Sequence, residues 1–206
     1  MKKNTIFTAI LSVFLLFSMM VTYARNVQTD IAQSILRLHV IANSDDDYDQ
    51  DLKLAVRDRI VKETKHLFEN STSPEETKQI ASENFELFQS AAKSEILAQG
   101  YDYDVNVSIG SFMFPSKVYG DVCLPAGYYD ALKIVIGSGN GENWWCVLFP
   151  PLCFVDGVNA ELPSEAKDSL KNNLTDEEYA LITENNSSNV SVQVRFKIIE
   201  LLAPFF

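Results

Sequence analysis

The sequence predicts an α+β domain in which a mixed or antiparallel central sheet is covered by a helical hairpin, with an N-terminal signal or anchor helix outside the fold. Three patterns support this prediction. Apolar residues recur at helical spacing in two segments between residues 48 and 100. From residue 101 the period changes to two, which is typical of strands. A long apolar run near the N-terminus precedes both patterns.

The N-terminal residues have the composition of a targeting segment. Lys2 and Lys3 form a positive end, and residues 6–21 are apolar except for three hydroxyl residues. Ala24 closes a possible cleavage site, as in secretory signal peptides. The apolar run covers 16 residues, fewer than the roughly 20 that a membrane-crossing helix needs. Cleavage by a signal peptidase and retention as an anchor both fit this pattern.

This targeting segment sets the domain organisation. We expect residues 1–25 to be a signal peptide or a membrane anchor, with residues 4–23 in the membrane if the segment is retained. Residues 26–206 then form a single exported α+β domain, because the positive end of such a segment stays in the cytoplasm. Either fate of the segment places the domain outside the cytoplasm.

The first strand and the first helix of the domain are predicted next. Residues Ile35–Ala42 end in alternation and indicate a strand. Leu52, Val56 and Ile60 then lie four apart, which indicates an amphipathic helix from about Tyr48 to Phe68. Three aspartates precede this helix, where negative charge is stabilised by the helix dipole.

A second helix is predicted from Pro74 to just before Gly100. Ser73 and Glu76 have the spacing of a capping box, and a proline suits the first turn. A glycine is the usual residue just beyond a helix end. Because a short loop at residues 70–73 joins the two helices, we expect an antiparallel hairpin.

Three further strands are predicted. Residues 101–109 alternate between apolar and polar, so one face is dry and the other wet. Residues 131–136 form a second apolar segment. Residues 143–149 are apolar on both faces, which predicts a strand in the middle of a covered sheet. The GSGNG segment, residues 137–141, connects one strand to another, and we expect a flexible hairpin connection rather than a phosphate-binding loop.

The C-terminal part of the sequence is less regular. Helices are predicted around residues 164–172 and again after Thr175, where Glu178 completes capping-box spacing. Residues 185–189 have the composition of a polar linker. Residues 190–198 fit either a strand or a helix, and the pattern does not separate these alternatives.

The charge of the chain excludes some classes of partner. The formal net charge is −11, with no basic stripe beyond the first residues. Nucleic-acid binding requires clustered lysine and arginine, so no nucleic-acid partner is expected. An anionic bilayer surface would repel the domain, and we therefore expect membrane contact only through the N-terminal segment.

The cysteines leave two alternatives open. Cys146 and Cys153 are seven residues apart, and Pro150–Pro151 can turn the chain between them. A disulfide there would contribute about 2–3 kcal/mol if unstrained. Buried free thiols are an equal alternative. There is no CxxC pair, and His39 lies far from His66 in sequence, so no metal or cofactor is expected.

Cys146 and His39 supply the residue types of a nucleophile and its base, with Asp45 or Asp130 to orient the imidazole. A thiol in a doubly apolar strand would be inert, however. We therefore predict no catalytic residues and keep this pair as the alternative. The acidic run DDDYDQD lacks the glycine and the glutamate of an EF-hand, and a solvated helix start explains it better.

Three sequence blocks carry a family resemblance. RLHVIANSDDDYDQDLKLAVRDRIV, GSFMFPSKVYG and LPAGYYDALKIVIGSGNGENWWCVLFPPLCFVD together resemble the stage II sporulation protein R family of endospore-forming bacteria. The resemblance extends from about Leu36 to Asp156, and the N-terminal leader agrees with it. The chain beyond Asp156 carries little of the resemblance.

The resemblance implies a signalling role. Members of this family are made in the forespore and exported into the space between the forespore and mother-cell membranes. There they activate a membrane-embedded aspartic protease of the mother cell, which processes the precursor of sigma-E. On this account the catalytic aspartate belongs to the partner, and the family offers no catalytic residue to assign here.

The resemblance also suggests where a partner binds. Trp144 and Trp145 alternate across their strand, so one is expected in the core and the other at an interface. Asn140 in the GSGNG loop and the turn at Pro150 and Pro151 complete the predicted docking surface. The alternative function is an exported cysteine hydrolase acting on peptide or cell-wall bonds. A third hypothesis is a structural envelope protein held by its N-terminal helix.

Overall fold

The computed structural model describes residues 2–154, 162 and 164–183. The helices are α1 (Lys2–Gln33), α2 (Asp47–Phe68), α3 (Pro74–Glu83), α4 (Phe85–Ala98), α5 (Ser164–Asn173) and α6 (Asp176–Thr183). The strands are β1 (Leu36–Ile41), β2 (Val105–Phe114), β3 (Lys117–Tyr119), β4 (Val122–Leu124), β5 (Gly127–Ile136) and β6 (Asn143–Phe149), followed by a 3₁₀ helix at Leu152–Phe154. The predicted α+β class is confirmed.

Four strands form one mixed sheet in the order β2-β5-β1-β6, and β3 pairs with β4 in a separate ribbon. β1 runs parallel to β5 and antiparallel to β6, and β2 runs antiparallel to β5. A parallel pair needs a long crossover, and here α2, α3, α4 and β2 supply it. The sheet is therefore of the predicted mixed type.

A helical layer covers one face of this sheet. The predicted stripe on α2 is confirmed, because Leu52, Val56 and Ile60 are all buried. α4 packs beside α2 and contributes Phe88 and Ile96, which have no exposed surface. These side chains meet the apolar residues of all four strands in one core. Burial of this apolar surface stabilises the domain by roughly 25 cal/mol per Å² removed from water.

The predicted second helix is interrupted, which corrects the prediction of a single element. Asn84 separates α3 from α4 with φ −109° and ψ 25°. Its side-chain nitrogen donates to the carbonyl oxygen of Ile80 at 2.9 Å. Asparagine competes with the helix in this way because its short amide reaches nearby backbone groups. At the start of α3, Ser73 accepts a hydrogen bond from the amide of Glu76 at 3.1 Å, as predicted.

Two strand predictions were wrong in detail. β2 begins at Val105 rather than at Tyr101, because its partner strand ends opposite Val105. Tyr101 and Tyr103 stack on each other instead, with ring centroids 5.7 Å apart. β6 lies at the edge of the sheet rather than in the middle. β6 is apolar because other elements cover both of its faces. Such coverage does not require a paired strand on each side of β6.

A second layer lies on the opposite face of the sheet. The end of α1, the β3–β4 ribbon, α5 and α6 enclose a smaller apolar core there. Gly127 permits the close approach of α1, since a Cβ at this position would lie 1.9 Å from Nε2 of Gln28. The predicted C-terminal helices are confirmed. Thr175 and Glu178 form the expected capping box, with hydrogen bonds of 2.8 and 3.3 Å. Residues 185–198 lie outside the described part.

α1 joins the targeting segment to the domain without a break. Its apolar residues from Ile6 to Met20 are exposed, whereas Ile31 and Ala32 are buried in the second core. Residues 5–33 are long and apolar enough to cross a membrane, with a mean hydropathy of 2.2 in the most apolar window. The helix thus continues beyond the 16-residue run seen in the sequence. The boundary at residue 25 stays a prediction.

Candidate docking surface

The GSGNG loop is held against the end of β1, which corrects the prediction of a hairpin connection. β1 lies between β5 and β6, so the loop crosses over it. The side-chain oxygen of Asn43 accepts a hydrogen bond from the amide of Ser138 at 2.9 Å. The backbone amide of Asn140 donates to the carbonyl oxygen of Asn43 at 3.1 Å. The loop therefore holds the sheet end together, and the Asn140 side chain is exposed.

The two tryptophans project from opposite faces of β6. Trp144 packs against the helical layer, where the guanidinium of Arg57 lies 4.9 Å from its ring centroid. Trp145 packs on the other face, 5.9 Å from the ring of His39 and 4.8 Å from the ammonium of Lys117. Both rings are half-buried. They form two separate contacts, as alternation along a strand requires.

The Pro-Pro turn offers less surface than the sequence suggested. Pro150 is buried and follows a cis peptide bond, and Pro151 is half-buried. Leu152 then donates its amide to the carbonyl oxygen of Pro150 at 2.7 Å, which starts the 3₁₀ helix. Of the predicted docking residues, Asn140 is the one whose side chain is fully exposed. The role of these residues in binding stays a prediction.

The three cysteines are free thiols in the structure. Cys146 is buried in the helical-side core, and the half-buried Cys153 packs against this core. Burial raises the pKa of Cys153 well above its ordinary value, and burial also raises the pKa of Cys123. These two groups are therefore protonated thiols at neutral pH, which are poor nucleophiles. A disulfide between Cys146 and Cys153 stays a prediction.

The structure does not bring the alternative catalytic residues together. Cys146 belongs to the core beneath the helical layer, whereas His39 stacks near Phe114 and Trp145 on the opposite face. Asp130 forms an ion pair with Lys78 at 2.5 Å on the helical side. The sheet thus separates the thiol from the imidazole, and no proton can pass directly between them. Asp45 is exposed in the loop before α2.

His39 has its own polar environment. Its Nε2 atom lies 2.7 Å from the side-chain oxygen of Asn143, and its Nδ1 atom is buried without a hydrogen-bond partner among the described residues. Burial lowers the pKa of His39, and the charges of Lys133 and Arg37 lower it further against the opposing effect of the Asn143 hydrogen bond. The imidazole is therefore neutral at pH 7.

Sequence reasoning missed Arg37, which is fully buried on the same face as His39. Its Nη2 atom donates to the hydroxyl of Tyr119 at 2.6 Å. The guanidinium lies 4.2 Å from the ring centroid of Phe114 and 5.0 Å from that of Tyr129. The available signal was an arginine facing inward from an otherwise apolar strand. Charged residues are almost never fully buried unless they are paired.

Comparison with known proteins places the chain near one family. The family model for stage II sporulation protein R matches residues 32–159, which include the whole four-stranded sheet. A curated relative, stage II sporulation protein R of Bacillus subtilis (strain 168), is 34% identical over 193 residues. That match covers 89% of this chain and 86% of the relative. No solved structure matches the chain.

Proposed function

Because the chain belongs to the stage II sporulation protein R family and so has a role in sporulation, we propose that it is an intercellular signal. It is exported from the forespore into the space between the two membranes. There it activates the membrane-embedded aspartic protease that processes the sigma-E precursor in the mother cell. The protein itself performs no chemistry in this scheme.

The observation that carries the proposal is the family match across residues 32–159. Two structural features support it. α1 has an exposed apolar segment, which suits export or retention at a membrane. The folded domain follows that helix directly, so the domain stays close to the membrane surface if the helix is retained. A ligand for a membrane-embedded protease has to present its binding surface there.

The cysteine hydrolase alternative has less support. A nucleophilic cysteine needs a base within hydrogen-bond reach, and His39 lies across the sheet from Cys146. The thiol of Cys146 is also buried. The third hypothesis, a structural envelope protein, requires only that α1 is retained. Fractionation of cleaved and uncleaved chains would identify the retained form.

The test is reconstitution in a cell that does not sporulate. The full chain is co-expressed with the cognate protease and the sigma-E precursor, and precursor cleavage is followed by immunoblot. We expect cleavage that depends on both the chain and the protease. Cys146→Ser serves as the discriminating variant, because a packed thiol tolerates this exchange better than a nucleophile does.

Each outcome decides between the alternatives. Cleavage with both the original chain and Cys146→Ser supports a signal whose thiol is structural. Absence of cleavage with a folded, exported chain contradicts the signalling proposal. Loss of cleavage with Cys146→Ser alone, in a protein that still folds and is exported, favours the hydrolase.

A further inference from the structure

The central sheet has two ends, and α1 leads into one of them. We call this the near end, and the opposite one the far end. β1 and β5 run away from the near end, whereas β2 and β6 run towards it. In a chain that keeps α1 in a membrane, the near end is the end of the sheet closest to the bilayer, because α1 enters the domain there.

The strand connections at the two ends differ in charge. At the far end, the three connections of the strands, together with the first residue of α2, expose six carboxylates: Asp45, Asp46, Asp47, Asp102, Asp104 and Glu142. The described connections at the near end, residues 34–35, 115–116, 125–126 and 150–151, contain no acidic residue. A bilayer surface with anionic lipids therefore repels the far end and leaves the near end free to approach.

Two exposed apolar side chains lie together at the near end. Met113 on β2 is the register partner of Tyr128 on β5, so both project from the same face of the sheet. Their exposed fractions are 52% and 68%, and the second is the highest of any large apolar side chain among the described residues beyond α1. Further along the same strands, the paired residues Ile109 and Leu132 pack with the helical-side core, so the helical layer ends before the exposed pair. We call Met113 and Tyr128 the near-end patch.

α1 places this patch at the level of the lipid headgroups. Between Lys3 and Arg25, residues 4–24 carry no charge, and as a helix they span about 32 Å, close to the thickness of the hydrocarbon core of a bilayer. Gln28 follows Arg25 at about 4.5 Å further along the helix axis. The headgroup region extends about 5–7 Å beyond the hydrocarbon core on each side. Because Gln28 and Tyr128 line the same cleft, Tyr128 lies within this region.

The packing of α1 fixes the patch relative to the membrane. α1 continues without a break into the domain, where Ile31 and Ala32 are buried in the second core. Gly127, next to Tyr128, approaches the side chain of Gln28 so closely that a Cβ would not fit. The distance of the patch from the apolar part of α1 is therefore set by the fold rather than by a flexible linker.

The acidic residues beside the patch have compensating partners. Asp130 forms an ion pair with Lys78 at 2.5 Å. Glu75 lies in the first turn of α3, where the helix dipole stabilises negative charge. Both line the cleft next to Tyr128. Neither places an uncompensated carboxylate against the headgroups.

We propose that, in the chain that keeps α1, the near end of the domain rests on the same lipid bilayer that α1 enters, with the near-end patch among the lipid headgroups. This contact extends the membrane contact predicted from the sequence beyond the N-terminal segment. It is separate from the signalling role, because it concerns the membrane that holds the chain itself.

The two side chains of the patch suit this environment. A tyrosine ring is apolar and its hydroxyl is polar, and tyrosine is enriched where a bilayer meets water. Methionine is flexible and adapts to irregular apolar surroundings. With α1 and the patch both held by the bilayer, the acidic far end faces away from it.

The test is photo-crosslinking to lipid. The full chain is purified with α1 intact and reconstituted in phosphatidylcholine vesicles at no more than one chain per vesicle. The photoreactive residue benzoylphenylalanine replaces Tyr128 in one variant and Tyr48 in the control, since Tyr48 is also exposed but lies at the far end. Mass spectrometry after irradiation measures the fraction of chains with a lipid adduct. We expect at least about tenfold more adduct at position 128 than at position 48.

A second pair of positions keeps the test decisive if the variant at position 128 does not fold. Benzoylphenylalanine replaces Met113, with Leu97 as the control, because Leu97 is equally exposed and lies near the far end of the sheet. Circular dichroism checks that each variant folds. Equal adduct yields at the near-end and far-end positions would overturn the proposal. Crosslinks between chains at positions 113 and 128 in densely loaded vesicles, without lipid adduct, would assign the patch to a second copy instead.

The precursor-cleavage assay gives an independent result. Absence of cleavage together with the expected lipid adducts would remove the signalling role and leave the bilayer contact in place. Cleavage without lipid adducts at positions 113 and 128 would remove the bilayer contact and leave the signalling role in place.

Discussion

The two faces of the central sheet carry different kinds of buried residue, although the same four strands form both faces. Beneath the helical layer, Leu38, Val40 and their neighbours pack with α2 and α4 into a closed apolar core. On the other face, the alternate residues Arg37 and His39 carry polar groups that the described residues leave without partners. β1 therefore contributes apolar core residues to one face and polar groups without described hydrogen-bond partners to the other.

This difference indicates that the two faces of the sheet have different roles in the fold. The opposite face carries a second, smaller apolar core, and this core accommodates residues that are costly on their own. The predictions below alter the two faces separately and compare how each contributes to stability.

The largest expected effect is on the helical face. Phe88 has no exposed surface and stacks near Phe68, with ring centroids 6.2 Å apart. Phe88→Ala should lower the free energy of unfolding by about 3–5 kcal/mol, because it removes buried surface and leaves a cavity. Urea unfolding followed by circular dichroism measures this change. Leu97→Ala, on the same helix but half exposed, is the control and should cost much less.

The second predicted effect is a change in the free energy of unfolding in the opposite direction. Arg37→Met replaces a buried unpaired guanidinium with an apolar side chain of similar length. We expect unchanged stability or a gain of about 1–4 kcal/mol, since removing a buried charge and its desolvation cost is often favourable.

The same urea measurement checks the Arg37 prediction. Arg59→Met is the matched control, because Arg59 is an exposed arginine that pairs with Glu63 at 2.6 Å. A loss of more than about 2 kcal/mol in Arg37→Met would contradict the prediction. It would mean that the guanidinium already has a compensating anion.

Much of the fold could be predicted from periodicity. The stripe Leu52, Val56 and Ile60 identified α2, and alternation or short apolar runs identified β1, β2, β5 and β6. The short strands β3 and β4 were not predicted. Position within the sheet could not be predicted in this way. An apolar strand such as β6 looks the same in the middle of a sheet and at a doubly covered edge. The break at Asn84 was missed because the apolar pattern continues through it.

The candidate site was less predictable because it depends on residues far apart in sequence. Trp145 was visible as an unusual side chain. Its neighbours in the fold include Arg37 on β1 and Lys117 on β3. These residues come near Trp145 only through the pairing and packing of distant strands. The separation of Cys146 from His39 likewise follows from pairing. Cys146 pairs with Leu38 and His39 pairs with Trp145, and successive residues of a strand project to opposite faces of the sheet.

A third effect concerns the loop that crosses the end of β1. Gly137 has φ +56°, and a Cβ there would lie 2.3 Å from the side-chain oxygen of Asn43. Gly137→Ala should therefore cost the positive-φ penalty of about 1–2 kcal/mol and also displace the Asn43 side chain that holds Ser138. Gly100→Ala is the matched control, because Gly100 has φ +86° with nothing within 4 Å.

Thermal unfolding of the two glycine variants gives the contribution of the Asn43 contact as their difference. We expect Gly137→Ala to be the less stable variant. An equal loss of stability in both variants would show that the loop accommodates the added methyl group without an energetic cost. The contacts of the loop to β1 would then not stabilise the end of the sheet.

The smallest effect is a pH dependence of stability from His39, on the face opposite the helical layer. Burial lowers the pKa of His39, with Lys133 and Arg37 acting in the same direction and the Asn143 hydrogen bond opposing them. The unfolded chain therefore binds a proton more readily than the folded chain. Stability should be complete above the unfolded pKa of about 6.5 and should fall as the pH drops below it towards the folded pKa.

His39→Gln should remove this part of the pH dependence. The measurement is the free energy of unfolding of both proteins between about pH 7.5 and 5.5. Their difference isolates His39 from the carboxylates that titrate in both, and His66→Gln, at an exposed position, is the control. Identical slopes would mean that folding leaves the pKa of the imidazole unchanged. A group near His39 would then compensate its burial, and the contrast between the two faces would be smaller than the described residues indicate.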